Sequence, residues 1–97
     1  KEPMTLEQAI LEALIPRGMG ERIRRGIAGG LSARQIFHRL PTKLQEELLQ
    51  TDGTPTQRQR EALSKVAKSL FALIDTGRVN RRRTRIGTSM VDVYRLA

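Results

Sequence analysis

The feature that most constrains the fold is a long amphipathic segment at 57–75 that runs straight into a basic, strand-forming tail. Its apolar residues recur at the three- and four-residue spacing of a helix face: Leu63, Val66, Leu70, Leu73 and Ile74, flanked by Ala62, Ala67 and Phe71. Thr56 can act as N-cap, and Gly77 suits the left-handed position that follows a helix. We expect this apolar stripe to be buried, with Leu70 at its centre.

The tail after Gly77 predicts a β-hairpin. We expect strands at 78–86 and 89–96, separated by Gly87-Thr88. Five arginines fall within the eight positions of 78–85: Arg78, Arg81, Arg82, Arg83 and Arg85. Alternation along a strand places Arg81, Arg83 and Arg85 on one face and Arg82 and Thr84 on the other. Like charges crowded in this way repel one another, which favours a polyanionic partner over a merely solvated patch.

Shorter helices are expected upstream, at 5–15, 20–28, 32–39 and 42–50. Capping boxes begin the first and third of these, at Thr5 to Gln8 and at Ser32 to Gln35, whereas glycines weaken the second. The predicted fold is therefore mainly α with a C-terminal β-hairpin, in a single domain over 1–97. The chain begins with Lys, and we expect it to be a fragment of a longer protein.

Composition points to a polyanion and gives little support for catalysis. The formal net charge is +8 and the sequence pI about 11.3, which favours nucleic acid as the partner. No cysteine is present, His38 is the single histidine, and no apolar run approaches the length of a membrane span. The carboxylates lack metal-ligand spacing and no glycine-rich phosphate loop follows a strand. We therefore expect no enzyme activity, no metal, no cofactor and no membrane partner.

The order of these elements resembles the winged helix-turn-helix family. The stretch from Leu70 to Val79 looks like the end of that family's recognition helix, where Leu-x-x-Leu and a polar step lead through Gly into the first wing strand. The helix at 32–39 looks like the family's second helix. One departure is the long connection at 41–55, where the family usually has a short turn. The resemblance covers most of residues 5–97.

The resemblance implies binding to double-stranded DNA, with 57–75 as recognition helix and the hairpin as wing. Gln can read adenine and Arg can read guanine through paired hydrogen bonds, so Gln57, Arg58 and Lys65 are expected to carry sequence preference. The full set of expected DNA-binding residues is Thr56, Gln57, Arg58, Arg60, Lys65, Lys68, Arg78, Arg81, Arg82, Arg83 and Arg85. A transcription regulator or a replication, recombination or partition protein is expected, located inside the cell, in cytoplasm, nucleoid or nucleus.

Two alternatives remain open. The leucines of 42–50 suit an exposed docking or dimer face, which would make the chain a protein-interaction module. RNA binding is the other, although both phenylalanines, Phe37 and Phe71, fall on apolar faces and leave no base-stacking platform. A third basic cluster has a geometry that cannot be read from the sequence: Arg17, Arg22, Arg24 and Arg25.

Overall fold

Helices precede a two-stranded antiparallel hairpin in the computed structural model, which describes residues 4–97 except for the side chains of 25–28. The elements in chain order are α1 (Leu6–Ala13), α2 (Met19–Ala28), α3 (Ala33–Arg39), α4 (Thr42–Leu48), α5 (Pro55–Asp75), β1 (Val79–Ile86) and β2 (Ser89–Leu96). The expectation of a mainly α chain with a C-terminal hairpin is confirmed. So are the capping boxes that begin α1 and α3.

The start of α5 differs from the expected one. Thr54, and not Thr56, is the N-cap: its hydroxyl accepts from the Gln57 N–H at 3.2 Å, and Gln57 Oε1 accepts from the Thr54 N–H at 2.9 Å. Pro55 therefore occupies the first helical position, where its missing N–H costs nothing. The helix is two residues longer than expected at this end.

The end of α1 also differs from the expected one. The helix was expected to reach residue 15, but it stops at Ala13, because Ile15 precedes Pro16 and a residue before proline disfavours helical backbone.

The core forms around the buried face of α5. Ala62, Val66, Leu70 and Leu73 are buried on that face. Packed in the same cluster are side chains from α1, α3 and the hairpin: Ile10, Leu14, Leu31, Ile36, Phe37, Leu40, Val79 and Tyr94. The predicted stripe of 57–75 is thus the centre of the fold, with the shorter elements arranged against it.

The leucines of α4 do not form an exposed docking face, so that expectation was wrong. Leu48 is buried in the core, and Leu44 and Leu49 are half-buried against it. The Gln45 side chain also donates to the Leu40 carbonyl at 2.8 Å, which ties α4 to the end of α3. The connection at 41–55 therefore contributes a core helix, and its apolar side is already covered by this chain.

The base of the hairpin is hydrogen-bonded to the segment that precedes α3. Leu31, just before α3, exchanges two backbone hydrogen bonds with Tyr94 in β2, at 2.9 and 2.7 Å. Gly30 makes this approach possible, because its φ is +141° and a Cβ built on it would lie 2.2 Å from the Tyr94 carbonyl oxygen. Only glycine combines that backbone angle with that clearance.

Gly30→Ala is expected to destabilise the fold by about 1–3 kcal/mol, because it combines an unfavourable backbone angle with a steric clash. Chemical denaturation followed by circular dichroism measures the change. Gly20→Ala is the matched control: Gly20 lies in α2 with no atom within 4 Å of a built Cβ, and the substitution should leave stability unchanged or raise it by up to about 1 kcal/mol. Equal effects of the two substitutions would show that the contact between Gly30 and β2 contributes nothing to stability.

Candidate nucleic-acid interface

The first turns of α5 project from the core. Pro55, Thr56, Gln57, Arg58 and Arg60 are all exposed, and the first buried residue of the helix is Ala62. Gln57 is less free than its exposure implies, since its Oε1 closes the capping box on Thr54. Paired recognition of adenine needs both the oxygen and the nitrogen of the amide. While the box is closed, Thr54 occupies one of the two lone pairs of the Gln57 oxygen and holds the amide in one orientation.

Helical geometry divides the remaining basic residues of α5 between two faces. At about 100° per residue, positions four, eight and eleven beyond Arg60 lie on one side of the helix. These positions, with Arg60 itself, form what we call the α5 outer stripe: Arg60, Ser64, Lys68 and Phe71, all exposed. Arg58 and Lys65 lie about a third of the circumference away from the centre of that stripe. The basic residues of α5 that were expected to bind DNA therefore do not all face one direction: Arg58, Arg60, Lys65 and Lys68.

Phe71 joins this stripe to the hairpin. Its side chain is 47% exposed, so the expectation that it lies on the apolar side of the helix was wrong. The guanidinium carbon of Arg81 lies over the Phe71 ring, 5.6 Å from its centroid. A cation over an aromatic face is attracted by the ring's electrons, and Arg is the side chain most often found there. The contact aligns the β1 face that carries Arg81 with the α5 outer stripe.

The hairpin pairs in the register that its two-residue turn dictates. Ile86 faces Ser89 across Gly87-Thr88, and eight pairs extend to Val79 and Leu96. Gly87 has φ +63°, as suits the first central position of a type II′ turn.

The two faces of β1 carry arginines as expected from alternation. Arg81 contacts Phe71 on one face, whereas on the other the Cδ of Arg82 lies 3.3 Å from a Cβ built on Gly29. Arg83 lies on the same face as Arg81. Its Nε is 3.5 Å from Asp92 Oδ1, in a pair whose side chains are 70% and 38% exposed. An exposed pair of this kind contributes little to stability and is easily exchanged for another anion.

Sequence reasoning missed the roles of Asp92 and Arg95. With a turn at Gly87-Thr88, an antiparallel register places position 83 opposite 92 and position 80 opposite 95. The position of the turn in the sequence therefore predicts that Arg83 and Asp92 lie opposite each other. Arg95, exposed and opposite Asn80, adds a basic side chain on the same face as Arg82. All five arginines predicted on the first strand are also exposed: Arg78, Arg81, Arg82, Arg83 and Arg85.

Part of the third basic cluster lies beside the hairpin. An open cleft of about 300 Å³ separates α2 and α3 from the hairpin, and Arg24 lines it together with Ile86 and Val93. Glu21 lies on the same cleft, where its carboxylate pairs with Arg39 and accepts from the Arg17 N–H at 3.1 Å. The Arg25 side chain lies outside the described part of the chain. Arg24 is therefore the member of this cluster that the fold brings to the hairpin.

Tyr94 adds no negative charge to the base of the hairpin near neutral pH. Burial raises the pKa of its hydroxyl above 10.0, the nearby Asp92 carboxylate raises that pKa further, and Arg81 partly offsets the rise. The side chain is neutral well into the alkaline range. The charge of the hairpin is thus set by its arginines and Asp92 alone.

The single histidine, His38, lies outside the hairpin and α5. His38 is exposed and meets Phe37 edge-on at 5.6 Å between ring centroids. Within residues 4–97, as far as they are described, no group of three or more His, Asp or Glu side chains is placed to hold a metal ion. Nor does that part of the chain contain a helix with the length and apolar character of a bilayer span. Comparison of the chain with protein-family models, curated proteins and solved structures gives no match.

Proposed function

We propose that this chain binds double-stranded DNA through a single surface composed of the α5 outer stripe and the arginine-rich hairpin. The observation that carries the proposal is the contact of Arg81 with Phe71. That contact joins the exposed face of a long helix to a strand of exposed arginines. A helix and an adjoining basic ribbon together match the two kinds of contact that duplex recognition uses, to base edges and to phosphates.

The charge of the hairpin supports a polyanion as the ligand. Residues 78–97 contain six arginines and one carboxylate side chain, Asp92. Phosphates spaced along a duplex neutralise such a row, and the counterions released on binding supply the affinity. A row of arginines on an exposed strand is also suited to the narrow minor groove, where the negative potential is strongest.

The α5 outer stripe supplies the groups suited to the major groove. Arg60 and Lys68 can donate to guanine, Ser64 can donate or accept, and Phe71 can contact a thymine methyl group. In this arrangement the hairpin fixes position and affinity, while the stripe reads sequence. The order of elements supports a winged helix-turn-helix domain, and with it a transcription regulator or a replication, recombination or partition protein that has no catalytic role.

The alternatives have less support. A protein-interaction module would use the leucines of α4, which the core of this chain already covers. Single-stranded nucleic acid is bound by rows of exposed aromatics. Phe37 and Tyr94 are buried, which leaves Phe71 beneath Arg81 as the exposed aromatic of the described chain.

The double variant Arg83→Gln/Arg85→Gln, which changes two exposed arginines on the β1 face of Arg81, is expected to weaken duplex binding at every sequence and to flatten its salt dependence. Each phosphate contact removed lowers the slope of log K against log salt by about 0.9, so the expected change is close to two. Arg81 keeps its contact with Phe71, and the exposed Arg83–Asp92 pair contributes little to stability, so the hairpin should remain folded. The measurement is fluorescence anisotropy against a duplex DNA over a series of salt concentrations, with single-stranded DNA and duplex RNA of equal length for comparison.

Arg17→Gln/Lys43→Gln is the matched control for this charge change. Both side chains are exposed, on the loop after α1 and on α4 respectively, and their loss should leave the slope nearly unchanged. An equal reduction of the slope in both variants would mean that only net charge matters. A parent protein that binds none of the three nucleic acids would refute the proposal.

Arg60→Ala is expected to cost about 1–3 kcal/mol of binding free energy on a preferred duplex and much less on other sequences. Arg58→Ala is the neighbouring control, since it removes the same charge from a different face of the same helix. The preferred duplex comes from selection out of a random pool with the parent protein. A greater loss of preference in Arg58→Ala than in Arg60→Ala would place the reading face on the side of Lys65 instead.

A further inference from the structure

The hairpin has a second face, which points away from the contact between Arg81 and Phe71. Alternation along the strands places Ile86 and Val93 on that second face. Both residues line the cleft that separates the hairpin from α2 and α3. The cleft therefore lies on the opposite side of the hairpin from the surface proposed to bind DNA.

The apolar lining of the cleft extends along the hairpin. Val93 lies opposite Arg82, and Ile86 is four residues further along β1 than Arg82. At about 3.3 Å per residue, the two apolar positions are roughly 13 Å apart in the strand direction. Val93 is 2% exposed and Ile86 is 59% exposed, so the lining runs from a buried end out to the surface. A lining of this length matches a short stretch of extended chain.

The outer edge of β2 adjoins the cleft at Leu31. Leu31 lines the cleft and bonds to the backbone of Tyr94 on this edge. Alternate residues of a strand present their N–H and C=O groups to the same edge, so those of Met90 and Asp92 point the same way as those of Tyr94. In the part of the chain that the structure describes, no backbone group pairs with them there, because the chain turns into α3 at Ala33. Such an edge can pair with another extended segment.

The charges around the cleft favour an acidic ligand. Glu21, the buried carboxylate of the cleft, is already paired with Arg39. Arg24 also lines the cleft, is exposed, and forms no ion pair with a described residue. Arg82 adds a second exposed basic group on the same face of the hairpin. Apolar lining beside an uncompensated guanidinium is complementary to apolar side chains that alternate with carboxylates.

We propose that the cleft and the adjoining β2 edge bind an extended acidic segment of a partner protein. The segment pairs with β2 as an added strand, its apolar side chains contact Ile86 and Val93, and a carboxylate pairs with Arg24. Main-chain hydrogen bonds supply affinity in this mode of recognition, and the side-chain contacts supply specificity. A second copy of this chain is a poorer occupant, because its net charge is also +8. Binding of the segment does not depend on duplex binding, since the two surfaces lie on opposite faces of the hairpin.

The test begins with selection of peptides from a random library displayed on phage, with the parent protein as bait and without DNA. The most enriched peptide is synthesised with a fluorescent label and titrated by anisotropy. It should contain carboxylates and apolar side chains. Arg24→Gln should weaken its binding about ten-fold, because a charge-assisted hydrogen bond is lost. Ile86→Thr should weaken it about five-fold, because less apolar surface is buried.

Two variants serve as matched controls. Met90→Thr changes an exposed apolar side chain at the same end of the hairpin but on the other face. Lys43→Gln removes the same charge as Arg24→Gln from an exposed position on α4. Both should bind the peptide like the parent, and circular dichroism checks that all the variants are folded. Bound peptide should also slow hydrogen exchange at the amides of Met90 and Asp92.

Each other outcome has a definite meaning. No enriched peptide, equal weakening by Arg24→Gln and Lys43→Gln, or equal weakening by Ile86→Thr and Met90→Thr would overturn the proposal. So would peptide binding that leaves exchange at Met90 and Asp92 unchanged. Self-association of the parent that Ile86→Thr abolishes would assign the cleft to a second copy of the chain instead. All of these measurements are made without DNA, so their failure leaves the proposed duplex binding untouched.

Discussion

The burial of the hairpin base against the helical core is the interaction on which the rest of the structure depends. Val79 and Tyr94 are 1% and 5% exposed, in the same cluster as Leu70 of α5. A two-stranded hairpin alone is at best marginally stable in water. The buried base, together with the backbone hydrogen bonds between Leu31 and Tyr94, therefore supports strands whose outer halves are exposed and charged. It also fixes the direction in which the hairpin leaves α5.

The environment of the arginines changes along the hairpin. Near the base, Arg81 is placed on Phe71; in the middle, Arg83 pairs with Asp92; towards the tip, Arg85 has no acidic neighbour within the segment 84–91. The electrostatic repulsion among these arginines is thus least compensated where the hairpin extends furthest from the core. A bound polyanion would relieve that repulsion. The same gradient explains how a highly basic strand can be anchored by the protein and still present its charge outward.

The elements whose signals are local in the sequence could be predicted, and those that depend on tertiary contacts could not. The hairpin register follows from Gly87-Thr88, and the buried face of α5 follows from the spacing of Val66, Leu70 and Leu73. The true cap of α5 was also available in the sequence, because Thr54, Pro55 and Gln57 match a capping box with proline in the first turn. The exposure of Phe71 was available too, because helical spacing places it on the side of Arg60 and Lys68. Its contact with Arg81 was not, since that depends on the path of β1. Likewise, the spacing of Leu44 and Leu48 shows that α4 is amphipathic without showing which surface covers it.

The central claim is that the α5 outer stripe and the hairpin form one surface that holds a DNA duplex. Backbone amide chemical-shift mapping by NMR, during titration of the isotope-labelled chain with a duplex, tests this claim residue by residue. We predict saturable shifts concentrated at residues 60–71 and 81–90, with residues of α1 and α4 little affected. Shifts confined to α1 or α4, or no saturable shifts at low salt, would contradict the account.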